Sequence, residues 1–444
     1  MQINRPSKSP LTHEGAPAIH LTPLDELKRT VMACMLWEDN FYESGSAIAD
    51  RIRKLVSRCN PREVANLAIE AREKQRLRHV PLLIVRELAR YPHKCPDGLI
   101  ANTLERIIQR ADELTEFLAL YWCKGKIPIS KQVKKGLARA FTKFNEYALA
   151  KYNRKNAIKL RDVLFMVHAK PKDEAQAALW KRLIDAELAT PDTWEVALSA
   201  GADKGETFTR LITEKKLGYL ALLRNLRNMQ QSGVSTELVF NALMAGAETS
   251  KALPFRYVAA ARAVPAWEPQ IDQAMQIALS GLDKLPGKTI VLIDVSGSMD
   301  AALSQKSDLT RLDAASALAV LIRGICKEVR VFTFSEDVVE VPPRNGMALV
   351  DAITVSQPHG GTYLGRALES LQTRANADRI IVITDEQSSD PVGNAIGHGY
   401  MINVASYKNG IGYGDWIHIN GFSESIVDYL AVYEKTYCVS AVAT

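Results

Sequence analysis

No run of about 18 uninterrupted apolar residues, the length that crosses a bilayer, occurs in the 444-residue chain. Its longest apolar stretches, residues 288–294 and 379–384, are strand-sized, so no membrane partner is expected. Residues 1–23 carry Pro, His and polar side chains without an apolar segment, and a secretory leader is not expected there. Cysteine is sparse. Cys34, Cys59, Cys95, Cys123, Cys326 and Cys438 are scattered with no Cys-x-x-Cys pair, which argues against a disulfide framework or a zinc site and for reduced, buried thiols in a cytoplasm. Low-complexity segments are absent too. At 47% hydrophobic and 24% charged, the composition is that of a folded globular protein of two or three domains, not a disordered one.

The net charge of +6 conceals an asymmetry. Counting Lys and Arg against Asp and Glu, residues 1–285 carry +12 and residues 286–444 carry −6, and the 120 residues 51–170 alone reach +16. Such a concentration suits a polyanion partner, or else forms a solvated basic face.

Apolar residues from about Pro23 to Gly281 recur at helical spacing, and Asn60-Pro61, Tyr91-Pro92, Ile127-Pro128, Lys170-Pro171, Thr190-Pro191, Leu253-Pro254 and Trp267-Glu268-Pro269 separate the segments. Several of these place Pro near a first helical position, where its missing N–H costs nothing. Helix pairs of 30–45 residues predict a HEAT-like α-helical repeat. The pattern changes at Leu285-Pro286-Gly287. From there strands at 288–294, 328–335, 338–341, 379–385 and 400–406 alternate with helices, and their continuous apolar runs predict a doubly wound, mostly parallel α/β sheet. The expected organisation is an N-terminal arm (1–22), a helical domain (23–285) and an α/β domain (286–444).

In such sheets ligands gather at the carboxyl ends of strands. Asp294-x-Ser296-x-Ser298 follows the first strand, Thr362 follows a Gly-Gly turn, and Asp385 ends a later strand. Alternate residues of an extended loop project together, so one carboxylate and two hydroxyls share a side. Two carboxylates and three hydroxyls are hard oxygen donors suited to Mg²⁺ or Mn²⁺. An enzyme is not expected. A phosphatase-type aspartate would have a second carboxylate where Ser296 stands, no His is placed as a base beside Ser296 or Ser298, and no G-x-S-x-G elbow occurs. The five residues resemble the metal-ion-dependent adhesion site of von Willebrand factor A domains. That resemblance implies that Asp294, Ser296 and Ser298 contact the ion, with Thr362 and Asp385 direct or through water, and that a partner's carboxylate completes the shell.

In the basic half, Lys131, Lys135, Arg139 and Lys143 follow at i+4 spacing with Lys134 beside them, while Val133, Leu137, Ala140, Phe141 and Phe144 lie roughly opposite and face the core. Lys151, Arg154, Lys155, Asn156 and Lys159 follow, then His168 before a Lys-Pro turn. Lys and Arg interleaved with Asn and Tyr are side chains that contact phosphates and RNA bases. Arg224 and Asn225 are further candidates, whereas Trp37, Trp180 and Trp194 read first as core and His79 as structural.

This half resembles the TROVE module of the Ro autoantigen (SS-A/Ro ribonucleoprotein) family of RNA-binding proteins. The supporting segments are Met35-Leu36-Trp37-Glu38, Leu77-Arg78-His79-Val80-Pro81, residues 151–156, Asp162-Val163-Leu164 through Pro171, Thr193-Trp194-Glu195-Val196 and Leu222-Leu223-Arg224-Asn225-Leu226. Joined to a C-terminal von Willebrand A domain, this is that family's architecture. The resemblance implies a ring of helical repeats, small noncoding Y RNAs on its outer surface, and single-stranded ends of misfolded RNA in its hole. It also implies a monomer in RNA quality control, with an exoribonuclease as a further partner. By position it implies RNA contacts at Lys151 and Lys155 and a histidine on the same surface at His168. Lys155 stands where relatives carry Arg, which keeps a phosphate contact without the bidentate fork. The rival expectation is a protein-interaction adaptor that uses only the metal-dependent A domain.

Overall fold

The computed structural model describes residues 10–18, 20–32, 43–90, 95–153, 157–250, 252–303, 307–405, 407–412 and 414–421. Sixteen α-helices precede Leu285 among these residues, and no helix is long and apolar enough to cross a membrane. The chain divides into two compact units: Pro23–Val31 with Ala47–Ala202, and Met1–Thr22 with Met32–Ser46 and Asp203–Thr444. The fold class changes at Leu285, where the first strand begins, but the packing divides near residue 202.

Among the described residues the first unit contains helices and no strand. Five of its helices start where the sequence supplies an acceptor for their orphan amides: Asn60, Ser130, Asn145, Asp173 and Thr193 each accept a hydrogen bond from a backbone N–H two or three residues on. Pro61 opens the helix Pro61–Glu73, as the Asn-Pro pair predicts. Helices Leu99–Ile107, Lys131–Phe141 and Leu160–Val167 stack in succession, the side-by-side layering of a helical repeat. Val133, Leu137, Ala140, Phe141 and Phe144 are all buried, as their spacing predicts. Cys59, Cys95 and Cys326 are buried, whereas Cys123 is exposed, which corrects the expectation of burial for that residue.

The second unit is built on a six-stranded sheet. In chain order its strands are β1 (Leu285–Asp294), β2 (Cys326–Phe334), β3 (Val338–Glu340), β4 (Arg379–Thr384), β5 (His398–Asn403) and β6 (Ile417–Asn420), and β6 has no counterpart in the sequence reading. The spatial order is β3-β2-β1-β4-β5-β6, with every pair parallel except β2–β3. Strand order reverses between β1 and β4, the switch point of a doubly wound sheet, where a crevice opens at the carboxyl ends. Side chains alternate across the sheet. Ile290, Leu292, Ile380 and Val382 join Leu364, Leu368 and Leu371 in one cluster, and helix Arg311–Ile325 packs against β1 and β2.

Helices before Leu285 belong to this unit as well. Pro254–Ala263 packs on Arg311–Ile325, and Glu268–Ser280 packs on Gly346–Thr354. Arg262 Nε donates to Asp313 Oδ1 at 3.1 Å, and the amide of Met347 donates to Asp272 Oδ1 at 2.9 Å. The arm is docked here too. Thr12 Oγ1 donates to the carbonyl of Ser388 at 2.8 Å, the His13 amide to Gln387 Oε1 at 2.8 Å, and Asn409 Nδ2 to the carbonyl of Leu11 at 2.8 Å, while Ala16 enters the Leu292–Leu364 cluster. Ala16→Asp should therefore place a charge in the core and lower stability by ~3 kcal/mol. Urea unfolding checks this, and an unchanged midpoint would show that the arm does not dock.

Candidate metal centre and basic surface

Parallel pairing of β1 with β4 in register from Thr289↔Arg379 to Ile293↔Ile383 brings the ends of both strands side by side, so Asp294 and Asp385 face one crevice. The Asp294 carboxylate accepts from the Ser296 amide at Oδ1 (2.9 Å) and from the Thr384 hydroxyl at Oδ2 (2.6 Å). Thr384 Oγ1 in turn accepts from the Glu386 amide at 3.0 Å. The hydroxyls of Ser296 and Ser298 lie 3.3 Å apart, which fulfils the expectation that alternate residues of this loop share a side. Asp385 Oδ1 accepts from the Gln387 amide at 3.2 Å, and Oδ2 lies 3.6 Å from Arg311 Nη1.

Thr362 is tied in through the backbone. Its carbonyl accepts from the Ser389 amide at 2.7 Å and from Ser388 Oγ at 3.3 Å, and the neighbouring Gly360 carbonyl accepts from the Gly297 amide at 3.1 Å. Asp390 caps the following helix Leu364–Arg374, accepting from the amides of Gly365 (2.9 Å) and Arg366 (2.8 Å). A Cβ at Gly365 would meet the Pro391 carbonyl oxygen at 2.1 Å, so only glycine lets that helix start so close to the loop. All five expected residues, Asp294, Ser296, Ser298, Thr362 and Asp385, are buried at this end of the sheet.

Burial, together with the Asp385 carboxylate, pushes the Asp294 carboxyl up to about 7, against hydrogen bonds from Ser296 and Thr384 that favour its charged form. Two carboxylates and two paired hydroxyls, closed off from water, have surplus negative charge and oxygen donors to offer a cation.

Several neighbours carry no motif. Arg311, Thr384 and Tyr407 complete the crevice floor, Glu386 stands at φ +59° with Oε1 3.1 Å from His418 Nδ1, and at the rim His359 Nδ1 lies 2.8 Å from Asp300. One sequence signal exists for Arg311. A cation in the first turn of a helix opposes the helix dipole, and so implies an anion nearby.

In the first unit the basic residues divide by what they do. Lys131 and Lys135 are exposed and Lys134 is half-buried on helix Lys131–Phe141, and none of the three makes an ion pair among the described residues. The stripe stops there. The helix ends at Phe141, and Lys143 turns back to donate to the carbonyls of Glu105 and Ile108, capping helix Leu99–Ile107, with burial holding its pKa below the usual lysine value. Arg139 Nη1 donates to Asn102 Oδ1 at 2.8 Å and lies 3.5 Å from Glu105. Lys151 pairs with Glu195 at 3.2 Å; burial opposes its charge, yet the Glu195 carboxylate outweighs that and raises its pKa. Other arginines of the basic segment are also spent internally. Arg72 bonds Glu113 (2.8 Å) and the Ile107 carbonyl (2.9 Å), and Arg78 bonds Asp112 (2.7 Å).

Arg154, Lys155 and Asn156 lie outside the described residues. Lys159 is exposed, and its amide donates to Asp162 Oδ2 at 2.8 Å. His168 ends helix Leu160–Val167 at φ +53°, exposed, on a depression of about 350 Å³ shared with Phe165, Trp180 and Lys181. Phe165 is half exposed, and Trp180 is buried core that also lines this groove, its buried Nε1 without a hydrogen-bond partner among the described residues. In the second unit Arg224 is exposed, but Asn225 is buried in its own helix, donating to the Ala221 carbonyl at 2.9 Å and accepting from Asn228 at 3.0 Å.

The raised Asp294 pKa has a testable sign. The folded chain keeps a proton there that the unfolded chain sheds near pH 4, so in chelator the group's cost grows from pH 4 and is complete above pH 7. Asp294→Asn removes the charge; its Oδ1 can still accept from the Ser296 amide, and its Nδ2 can donate to Thr384 Oγ1. It should stabilise the cation-free chain at pH 8 by about 1 kcal/mol or more, with the gain shrinking toward pH 4. Thermal unfolding in EDTA across that range measures it, and a pH-independent difference would contradict the burial of this charge.

The TROVE domain family matches residues 180–316, and the von Willebrand factor type A domain family matches residues 289–387. Telomerase protein component 1 of Mus musculus is 29% identical over 206 residues, and that of Rattus norvegicus 28% over 214 residues. Each match covers 44% of this chain but only 8% of the relative's length. The crystal structure of the Deinococcus radiodurans Ro (RSR) protein matches with a TM-score of 0.63 over 91% of this chain and 97% of that one, at 18% identity. The TROVE match runs across Leu285 into the sheet, as does the packing of the last helices. Segments that match the TROVE and von Willebrand factor type A domain families thus adjoin in this chain, in a fold similar to that of the Ro protein.

Proposed function

We propose that the chain is a non-enzymatic RNA-binding protein of Ro type, in which the first unit takes RNA on the face of helices Lys131–Phe141 and Leu160–Val167. The observation that carries this reading is the set Lys131, Lys134 and Lys135, without ion pairs among the described residues, on a helix that packs against the one ending at His168. Most neighbouring arginines are neutralised by carboxylates; these lysines keep their charge for a phosphate backbone. The exposed Phe165 ring and His168 on the neighbouring helix offer a surface on which an unstacked base can lie.

The ligand class that suits this surface is a small structured noncoding RNA of Y type, with single-stranded ends of misfolded RNA as a second ligand. The cellular role proposed is RNA quality control in the cytoplasm, as a monomer that hands such RNAs to an exoribonuclease. Neutralised phosphates release counterions, so affinity should fall with salt, with a log–log slope of about −0.7 per phosphate bound on a single strand. Lys131→Glu with Lys135→Glu should weaken binding to all such RNAs and make the slope shallower by about 0.7 for each phosphate no longer held. His168→Ala should instead cost about 1–3 kcal/mol with little change in slope. Filter binding of a labelled structured RNA across a salt series separates these effects, and a charge-reversed double variant with wild-type affinity and slope would leave the adaptor reading standing.

For the second unit, Asp294, Ser296, Ser298, Thr362 and Asp385 are proposed to hold one Mg²⁺ or Mn²⁺. The donor set suits a hard cation, with water completing the shell, and the ion would supply a coordination position for a partner's carboxylate. Asp294→Ala should abolish Mn²⁺ binding in titration calorimetry while sparing RNA affinity. Mn²⁺ binding that survives this change would refute the assignment.

A further inference from the structure

Arg311 is the first residue of helix Arg311–Ile325, and Thr310 caps that helix by accepting from the Asp313 amide at 3.0 Å. A guanidinium at this end of a helix faces the positive pole of the dipole. It is also almost fully buried, with 3% of its side chain exposed. A buried charge needs partners, and among the described residues several belong to the carboxylate crevice. Nη1 lies 3.6 Å from Asp385 Oδ2, donates to the Tyr407 hydroxyl at 2.7 Å and reaches the Ser298 carbonyl at 3.4 Å. The guanidinium carbon sits 5.2 Å from the centroid of the Tyr407 ring, which is itself buried. One fixed positive charge thus shares a closed space with the Asp294 and Asp385 carboxylates.

We propose that Arg311 is a resident counter-cation of the Asp294–Asp385 pair, one that part-neutralises the crevice and sets a low affinity for divalent ions. The inference rests on the cation reading of the five oxygen-bearing residues and goes beyond it by naming the side chain that competes. Like charges drawn to the same carboxylate repel, and the repulsion scales inversely with distance and with the effective dielectric inside the protein. Tyr407 moderates the competition by taking the hydrogen bond from Nη1 that would otherwise go to Asp385.

Arg311→Met removes the charge and keeps most of the side-chain volume. The full-length variant should bind Mn²⁺ roughly tenfold tighter or more than the unaltered protein in calorimetry from metal-stripped buffer, and Mn²⁺ should raise its melting temperature further. Arg311→Lys, which keeps the charge, should stay near the unaltered affinity. A folded Arg311→Met chain that binds Mn²⁺ no more tightly overturns the proposal, whereas one that folds only when Mn²⁺ is present supports it, the ion having replaced the guanidinium. Should Arg311→Met fail to fold in either buffer, Tyr407→Phe decides. Releasing Nη1 toward Asp385 should weaken Mn²⁺ binding, and an unchanged or tighter affinity overturns the proposal. Asp294→Ala keeps the two readings apart. Undiminished Mn²⁺ binding in that variant defeats the cation site itself, while its loss alongside an unaltered Arg311→Met affinity defeats only the role of Arg311.

Discussion

Two carboxylates forced together at the ends of neighbouring parallel strands are the constraint around which the sheet-bearing unit is arranged. Asp294 and Asp385 are buried where β1 and β4 run side by side, and burying like charges together is unfavourable unless something compensates. The compensation here has several parts. The Ser296 amide and the Thr384 hydroxyl serve one carboxylate, the Gln387 amide and the Arg311 guanidinium serve the other, and Asp294 remains poised to keep a proton. The loops that carry these groups are held by one another, through Gly297 to Gly360, Ser335 to Gly361 and Ser388 to Thr362. They are held from outside as well, since the N-terminal arm bonds to Gln387 and Ser388, next in sequence after Asp385 and Glu386.

The helical unit shows a parallel economy of charge on the basic side. Part of its excess of Lys and Arg is turned inward, as buried pairs such as Arg72–Glu113 and as the lysine cap of Lys143 on the carbonyls of helix Leu99–Ile107. Among those left outward, Lys131, Lys134 and Lys135 cluster on one helix, and a neighbouring helix carries the aromatic depression. A charge count alone therefore overstates the binding surface, because a guanidinium bonded to a buried carboxylate is no longer offered to a phosphate.

The helices before Leu285 do not form a single block. Those from residue 203 onward pack on the sheet through Arg262–Asp313 and the Asp272 carboxylate on the Met347 amide. The TROVE family match crosses the same point, from 180 to 316, so the matched segment follows the packing rather than the change in secondary structure.

The sequence by itself determined what depends on neighbours along the chain. Helical spacing and Asn-Pro or Leu-Pro starts fixed the helices, apolar runs fixed β1, β2, β4 and β5, and Asp-x-Ser-x-Ser fixed two hydroxyls on the same side as a carboxylate, because each follows from local geometry. Only the tertiary structure decided what depends on partners far away. The short β6, half-buried and without a counterpart in the sequence reading, becomes a strand because β5 offers it an edge. Lys143 leaves the stripe because the orphan carbonyls of Glu105 and Ile108 lie within its reach, and Asn225 turns inward because its helix face is covered. Arg311 enters the crevice because the sheet sets Asp385 and Tyr407 before it, 74 and 96 residues further along the chain. Spacing rules see four residues ahead; the electrostatics of a buried site are set by whatever the fold brings alongside.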